Sequence, residues 1–362
     1  MKLGLVGLPN IGKTTLFNAL TRSHAVTSAY TAAEANRGVI SVPDPRLEEL
    51  HARLETAQIV FATIEVVDIP GMGGGPGGDV QAAGSLGSRF LSDIRSVDAV
   101  AHVLRAFDNP DVGHVHEGID PIGDAELVET ELVTSDLEIV ERRMQKTGKT
   151  ARSGDRAAQR EMVVLERFAA ALRDGERART VAREQDDEPL MRDLALLSER
   201  PVLFVLNTGD EGGEPGDDLV AWAHARGDEV VAVPARLEAE LAELDADEAA
   251  MFRAELGGAE PKIDAFIAAA YGVLGYISFY TGDHRSSETR AWQLPRGQNA
   301  KQAAGRIHTD IMNRFVRAEV VTLSGLLEHG SFHAAKDKGV LRVEGKAYIV
   351  QDADVINFRH TA

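Results

Sequence analysis

No cysteine occurs in the 362-residue chain. Disulfides, zinc–thiolate sites, iron–sulfur clusters and thiol redox switches are therefore excluded. Nor is there an uninterrupted apolar run of the about 18 residues that a membrane-spanning helix needs, so no membrane partner is expected. The N-terminus, MKLGLVGLPN, passes straight into a glycine-rich motif. It lacks the longer apolar core and small-residue cleavage site of a secretory signal, and the expected location is cytoplasmic. Positive charge is scarce: 39 Lys and Arg stand against 57 Asp and Glu, for a net charge of −18. That balance argues against a protein that coats nucleic acid with its whole surface, and no DNA partner is expected. The deficit is uneven, because residues 277–362 hold 12 Lys and Arg against 9 Asp and Glu. A mildly basic C-terminal module on an acidic body can dock an anionic partner, although ordinary sampling of surface charge also produces such an excess.

What is present is a soluble globular composition, 44% hydrophobic and 27% charged, in a chain long enough for two or three domains. Short apolar or β-branched runs at 2–6, 59–69, 97–104, 201–206 and 230–233 read as strands, and 14–20 has helical spacing through Leu16, Phe17 and Leu20. Strands separated by helices predict a parallel sheet with right-handed crossovers. Between about 120 and 199 the rhythm changes. Val133, Leu137, Val140 and Met144, then Leu165, Phe168 and Leu172, recur at three- and four-residue steps. The charged stretch 146–160, with Gly148, Ser153 and Gly154, interrupts them. Two amphipathic helices folded into an inserted hairpin are expected. From about residue 276, strands at 277–280, 318–323, 340–343, 348–350 and 355–358 and a helix at 300–315 predict a compact α+β, β-grasp-like module. The expected fold class is thus α/β. A discontinuous nucleotide domain (1–119 and 200–275) holds a helical insert (120–199) and is followed by a C-terminal domain (276–362).

Gly7-Leu8-Pro9-Asn10-Ile11-Gly12-Lys13-Thr14 satisfies G-x-x-x-x-G-K-[ST] at every fixed position, with a strand before it and a helix after it. Glycines let the backbone wrap a phosphate, and loop N–H groups and the helix N-terminus aim partial positive charge at it. Leu8, Pro9, Asn10, Ile11, Gly12, Lys13, Thr14 and Thr15 are therefore candidate nucleotide contacts. Lys13 is aimed at the β- and γ-phosphates, and the Thr14 hydroxyl at Mg²⁺. Asp68-Ile69-Pro70-Gly71 ends a buried strand 54 residues after Thr14. Asp68 is a candidate to hold Mg²⁺ through water, and the Gly71 N–H to meet the γ-phosphate. The glycine-rich stretch 71–78 is a candidate switch loop that orders around a triphosphate.

These residues resemble the YchF-type P-loop NTPases of the Obg group. The resemblance rests on GLPNIGKTTLFNALT (7–21), Pro43-Asp44-Pro45-Arg46, Ile94-Arg95-Ser96-Val97-Asp98-Ala99 and Gly118-Ile119-Asp120-Pro121. It continues through Arg290-Ala291-Trp292, QAAGRIHTD (302–310) and the segments 315–320 and 350–354. It spans nearly the whole chain in collinear order. It implies a G domain interrupted by a helical hairpin and followed by a TGS domain. It also implies triphosphate hydrolysis, with ATP accepted as well as or better than GTP, and association with the ribosome or its RNA. Met72 stands where Ras-like enzymes have a water-orienting glutamine. Met72 cannot polarise water, so intrinsic hydrolysis is expected to be slow or to use another group. The first-switch stretch reads Ala32-Ala33-Glu34-Ala35-Asn36, with Thr31 one position early for a metal ligand. The family's usual lysine-containing run after Gly71 is missing.

Base recognition stays open at this level. Asn207-Thr208-Gly209-Asp210 puts Asp210 at guanine-reading spacing, yet Thr208 replaces the lysine that packs along a base. Pro234-Ala235-Arg236 occupies the place of a second base loop, with Ala235 a candidate contact. His114-Val115-His116-Glu117 lacks the spacing of a helical zinc pair and reads as a solvated loop. His308 reads as a helix-surface or packing residue, and Trp292 and Phe315 as core. Two functions of different class compete with a slow NTPase switch. One is a nucleotide-gated binding module with negligible turnover, favoured by Met72. The other is a P-loop kinase, disfavoured by D-x-x-G and N-x-x-D.

Overall fold

The structure is a computed structural model that describes residues 1–22, 35–70, 88–109, 113, 118–210, 212–255, 261–284 and 286–361. It divides into two compact units, Met1–Gly38 with Glu65–Ala269, and Val39–Ile64 with Ala270–Ala362.

In the first unit, the apolar runs at the N-terminus and near residues 64, 100 and 204 become strands because each can be buried on both faces. The sheet order is Asn36–Ser41, Thr63–Asp68, Lys2–Val6, Ala99–Ala106, Val202–Thr208, Glu229–Val233. Lys2–Val6 pairs in parallel with both neighbours, Leu3 facing Val66 on one side and Ala99 on the other. Val202–Thr208 likewise pairs in parallel with Ala99–Ala106 and Glu229–Val233. Leu3, Leu5, Val103, Leu203, Phe204 and Val205 are fully buried along this parallel core. The expected 59–69 strand is two strands, Gln58–Val60 and Thr63–Asp68, and only the second belongs to this sheet.

The helical insert is a hairpin of Pro121–Arg152 and Arg156–Arg173. Asp120 caps the first helix by accepting from Gly123 N at 3.0 Å, with Pro121 at its first position. Asp155 caps the second by accepting from Ala158 N at 2.8 Å. Val133, Val140, Leu165, Phe168, Ala169 and Leu172 form the hairpin's own core. The expected interruption across 146–160 shrinks to the three residues between the helices. Glycine weakens a helix by about 0.5–1 kcal/mol. Gly148 nevertheless stays helical because the packed partner helix and a 32-residue hydrogen-bond ladder hold it. At the hairpin's root, the Asp136 carboxylate accepts from Leu197 N at 2.7 Å, Ser198 N at 2.7 Å and Ser198 Oγ at 2.6 Å. Nearby, Arg177 lies 2.6 Å from Asp228 and both are buried.

In the second unit the sheet order is Arg342–Glu344, Phe315–Thr322, Asp354–His360, Tyr276–Thr281, Glu288–Pro295, Gln58–Val60. Tyr276–Thr281 and Glu288–Pro295 form an antiparallel hairpin. Asp354–His360 runs parallel to Tyr276–Thr281 and antiparallel to Phe315–Thr322. The helix Ala300–Ile307 covers one face through Ala300, Ala303 and Ala304. This is a β-grasp module. Phe315 is buried in its core and Trp292 packs against it, donating Nε1–H to Thr281 Oγ1 at 2.8 Å. The expected helix 300–315 breaks at His308. Its extended backbone ends one helix, and its Nδ1 accepts from Asp310 N at 3.1 Å to start Thr309–Asn313. Residues 348–350 form no strand; Ile349 makes one isolated bridge to Asn299. Within this unit, Tyr280 donates to Asp44 Oδ2 at 2.6 Å, and Arg46 bridges Asp44 and Asp352.

Candidate functional site

The loop between Lys2–Val6 and the helix Lys13–Thr21 takes its shape from three residues with positive φ: Gly7 at 140°, Asn10 at 62° and Gly12 at 91°. A Cβ on Gly7 would strike the Ile11 side chain and the Val103 carbonyl, and one on Gly12 would strike the Asn207 amide. Both glycines are therefore demanded by close approach as well as by φ. Leu8 and Ile11 are each 1% exposed and anchor the loop, while Pro9, Thr14 and Thr15 are half-buried and Asn10 is exposed. The Asn10 side chain donates to Gly113 O at 3.3 Å.

Lys13 is buried and folds back over the loop, its Nζ donating to Gly7 O at 3.1 Å and Leu8 O at 2.6 Å. Burial lowers its pKa to about 8, partly opposed by the nearby Asp68 carboxylate. Asp68 sits at the end of Thr63–Asp68, and its Oδ2 accepts from the Thr14 hydroxyl at 2.8 Å and from Asn36 Nδ2 at 3.2 Å. The parallel strands set this meeting, since Leu5 stands opposite Asp68 in the register. Asn207 is the penultimate residue of Val202–Thr208, the second strand over from Lys2–Val6. It donates Nδ2–H to Ile11 O at 2.8 Å and accepts from Ala235 N at 3.1 Å, tying the phosphate loop to the start of the helix Ala235–Leu241.

Of the residues expected at the site, Leu8, Pro9, Asn10, Ile11, Gly12, Lys13, Thr14, Thr15, Asp68, Asn207 and Ala235 thus share one end of the sheet. Asp210 lies just beyond Asn207 with 57% of its side chain exposed, 3.9 Å from the Arg236 guanidinium. Gly71, Met72, Thr31 and the His114–Glu117 stretch lie outside the described residues. Two residues at the site carried no role in the sequence reading. Asn36 is one, and its place at the head of a strand after the first-switch stretch was the available signal. His102 is the other. It faces Val6 in the register, is 3% exposed, and its Nε2 has no hydrogen-bond partner among the described residues. Burial, with Lys13 adding to it, lowers its pKa to about 3, so it stays neutral beside the lysine.

Such an arrangement can accept an oxyanion at a helix N-terminus, with an ammonium beside it and a hydroxyl–carboxylate pair alongside. Two family models match the chain. One, described as "50S ribosome-binding GTPase", covers residues 2–145, and the YchF-GTPase C-terminal model, described as "Protein of unknown function (DUF933)", covers 276–361. The ribosome-binding ATPase YchF of Bacillus subtilis is 39% identical over 98% of both chains. The chain belongs to the YchF family. Its Escherichia coli O157:H7 relative of the same name is 37% identical, with 99% of this chain and 98% of the relative covered. The solved YchF GTPase of Schizosaccharomyces pombe is 27% identical and superposes with a TM-score of 0.85, over 99% of this chain and 97% of that one.

Proposed function

We propose that this P-loop NTPase is a magnesium-dependent purine nucleoside triphosphate hydrolase that acts as a slow nucleotide switch on the ribosome. The observation that carries the reading is the contact of Thr14 with Asp68 beside Lys13, in a chain whose full-length relatives are named ribosome-binding ATPases. The residues suit magnesium. Mg²⁺ is usually held by one or two carboxylates together with phosphate oxygens and water, not by a protein cage. Among the described residues no group of three or more His, Cys, Asp and Glu could form such a cage, while one hydroxyl and one carboxylate converge at the loop. Thr14 and Asp68 would hold the ion, which neutralises charge on the phosphates when bound.

In this reading Lys13 leaves the Gly7 and Leu8 carbonyls for the β- and γ-phosphates. Gly71 N–H meets the γ-phosphate. Asn207 holds the loop in register with Ala235, and Asp210 meets the base. The exposure of Asp210 favours weak base discrimination, with ATP accepted and GTP also bound. Functional boundaries at 1–119 with 200–275, 120–199 and 276–362 go with this reading, as does a cytoplasmic setting in which the basic C-terminal module helps bind ribosomal RNA. Met72 in the glutamine position favours a second reading, a nucleotide-gated binder with negligible turnover. Single-turnover hydrolysis separates the two. Phosphate release above the uncatalysed rate, abolished by Lys13→Ala, supports the hydrolase; no release with tight triphosphate binding supports the binder.

A further inference from the structure

The tip of the helical hairpin is charged in a way that folding does not require. Residues 142–160 contain seven Lys and Arg and a single acid, Asp155, in a chain of net charge −18. Arg143 is engaged, its guanidinium 2.6 Å from Glu161 and 2.8 Å from Asp193. The other six, Arg142, Lys146, Lys149, Arg152, Arg156 and Arg160, are exposed, and none has an ion-pair partner among the described residues. The lone acid is committed to capping, through its bond from Ala158 N at 2.8 Å.

Folding accounts for only some of these charges; besides Arg143, the Lys146 ammonium also interacts electrostatically with the Glu161 carboxylate. Lys149 and Arg152 lie in the last turn of Pro121–Arg152, where the helix dipole favours cations. Arg156 opens the second helix, whose first turn carries no acid, and there the dipole opposes a positive charge. Arg142 and Lys146, Lys146 and Lys149, and Arg156 and Arg160 are like-charged pairs at three- or four-residue spacing, which weaken a helix. The hairpin core ends near Met144 and Met162, so the tip has no apolar stripe with which to enter a bilayer. Arg142 to Arg152 spans about 15 Å of helix, enough to lie along several phosphates.

We propose that the hairpin tip is a docking surface for the phosphate backbone of RNA, separate from the C-terminal module. The inference rests on the ribosome-associated reading above and names the face that makes the contact. Unpaired cations on a rigid arm release the counterions of an RNA strand without breaking ion pairs of their own. Outside the tip and the mildly basic C-terminal module the chain is strongly acidic, which disfavours RNA contact there.

The test uses the full chain with Lys146→Gln, Lys149→Gln, Arg156→Gln and Arg160→Gln combined, against intact ribosomes and against protein-free ribosomal RNA. Triphosphate affinity, read in parallel, reports that the variant is folded. Both partners are expected to bind the variant at least about tenfold more weakly, with a slope of log K against log salt shallower by about 3. Lys146→Arg with Lys149→Arg keeps wild-type binding. If the wild-type protein binds no ribosomes in any nucleotide state, the ribosomal reading falls and this inference with it. Wild-type binding that the neutralised tip reproduces in affinity and slope overturns the tip alone. A loss confined to intact ribosomes, with naked RNA bound as before, means that the tip meets a protein, and the RNA assignment is wrong.

Discussion

The Thr14 hydroxyl donates to Asp68 Oδ2 at 2.8 Å, although the two residues are 54 positions apart. One belongs to the helix that follows the phosphate loop and the other to the end of a buried strand. The pair places a hydroxyl and a carboxylate next to the buried Lys13 ammonium.

That ammonium titrates unusually early. In the folded protein without nucleotide, burial lowers the Lys13 pKa to about 8, so between there and the ordinary lysine value of 10.5 the unfolded chain holds a proton that the folded chain lacks. Stability of the nucleotide-free protein should therefore rise with pH across this window. A triphosphate restores the charged form, so binding near pH 8.5 should take up protons, with an apparent enthalpy that depends on the buffer's ionisation enthalpy. Calorimetry in two buffers reads this directly. Identical enthalpies in both, or uptake that persists in Lys13→Ala, would show that Lys13 does not meet the phosphates.

Asn207 is the brace of the site. Asn207→Ala leaves Ile11 O and Ala235 N without their side-chain partner, and an unsatisfied buried group costs about 1–3 kcal/mol. Thermal unfolding should shift down and triphosphate affinity should drop, because the loop and the helix start lose their common anchor. A variant with wild-type melting and wild-type affinity would refute the bracing role.

Much of this site was legible because its signals are local. Gly7, Gly12, Lys13 and Thr14 lie within one loop, and the strand ending at Asp68 announces itself by its apolar run. Gln58–Val60 was not legible as a separate strand. Its partner is Glu288–Pro295, some 230 residues away, and a three-residue edge strand carries no pattern of its own. His102 sits in the strand Ala99–Ala106 among apolar neighbours, where only the fold reveals that it lies beside the phosphate loop. At His308 the apolar spacing of Ala303, Ile307 and Ile311 runs on across a real break, because the histidine that ends one helix caps the next. Gly148 errs the other way, a breaker overruled by packing.

Hydrolysis should respond unequally to the two candidates near the γ-phosphate. Met72→Ala is expected to change the single-turnover rate little, since a thioether moves no proton. Asp68→Ala removes the carboxylate that Thr14 already contacts and should lower the rate at least about a hundredfold. A larger loss at Met72 than at Asp68 would reverse these roles.

Base choice should be lax. A firmly held carboxylate reading guanine can discriminate by roughly 10⁴-fold. Asp210 is largely exposed, and its recorded ion pair, to Arg236, is 3.9 Å long. Wild-type affinities for ATP and GTP are therefore expected within about a hundredfold of each other, with Asp210→Ala weakening GTP more than ATP. A GTP preference well beyond that range would mean that Asp210 is rigidly aimed.

In the proposed reading, a purine nucleoside triphosphate is held at the loop from Gly7 to Thr15 by Lys13. Calorimetric titration of the wild-type protein and Lys13→Ala with ATP and GTP, each with Mg²⁺, tests it most directly. Loss of a charge-assisted contact is worth about 1.5–3 kcal/mol, so the variant should bind about 10- to 150-fold more weakly while keeping its fold by circular dichroism. Equal affinity in the two proteins would contradict the assignment.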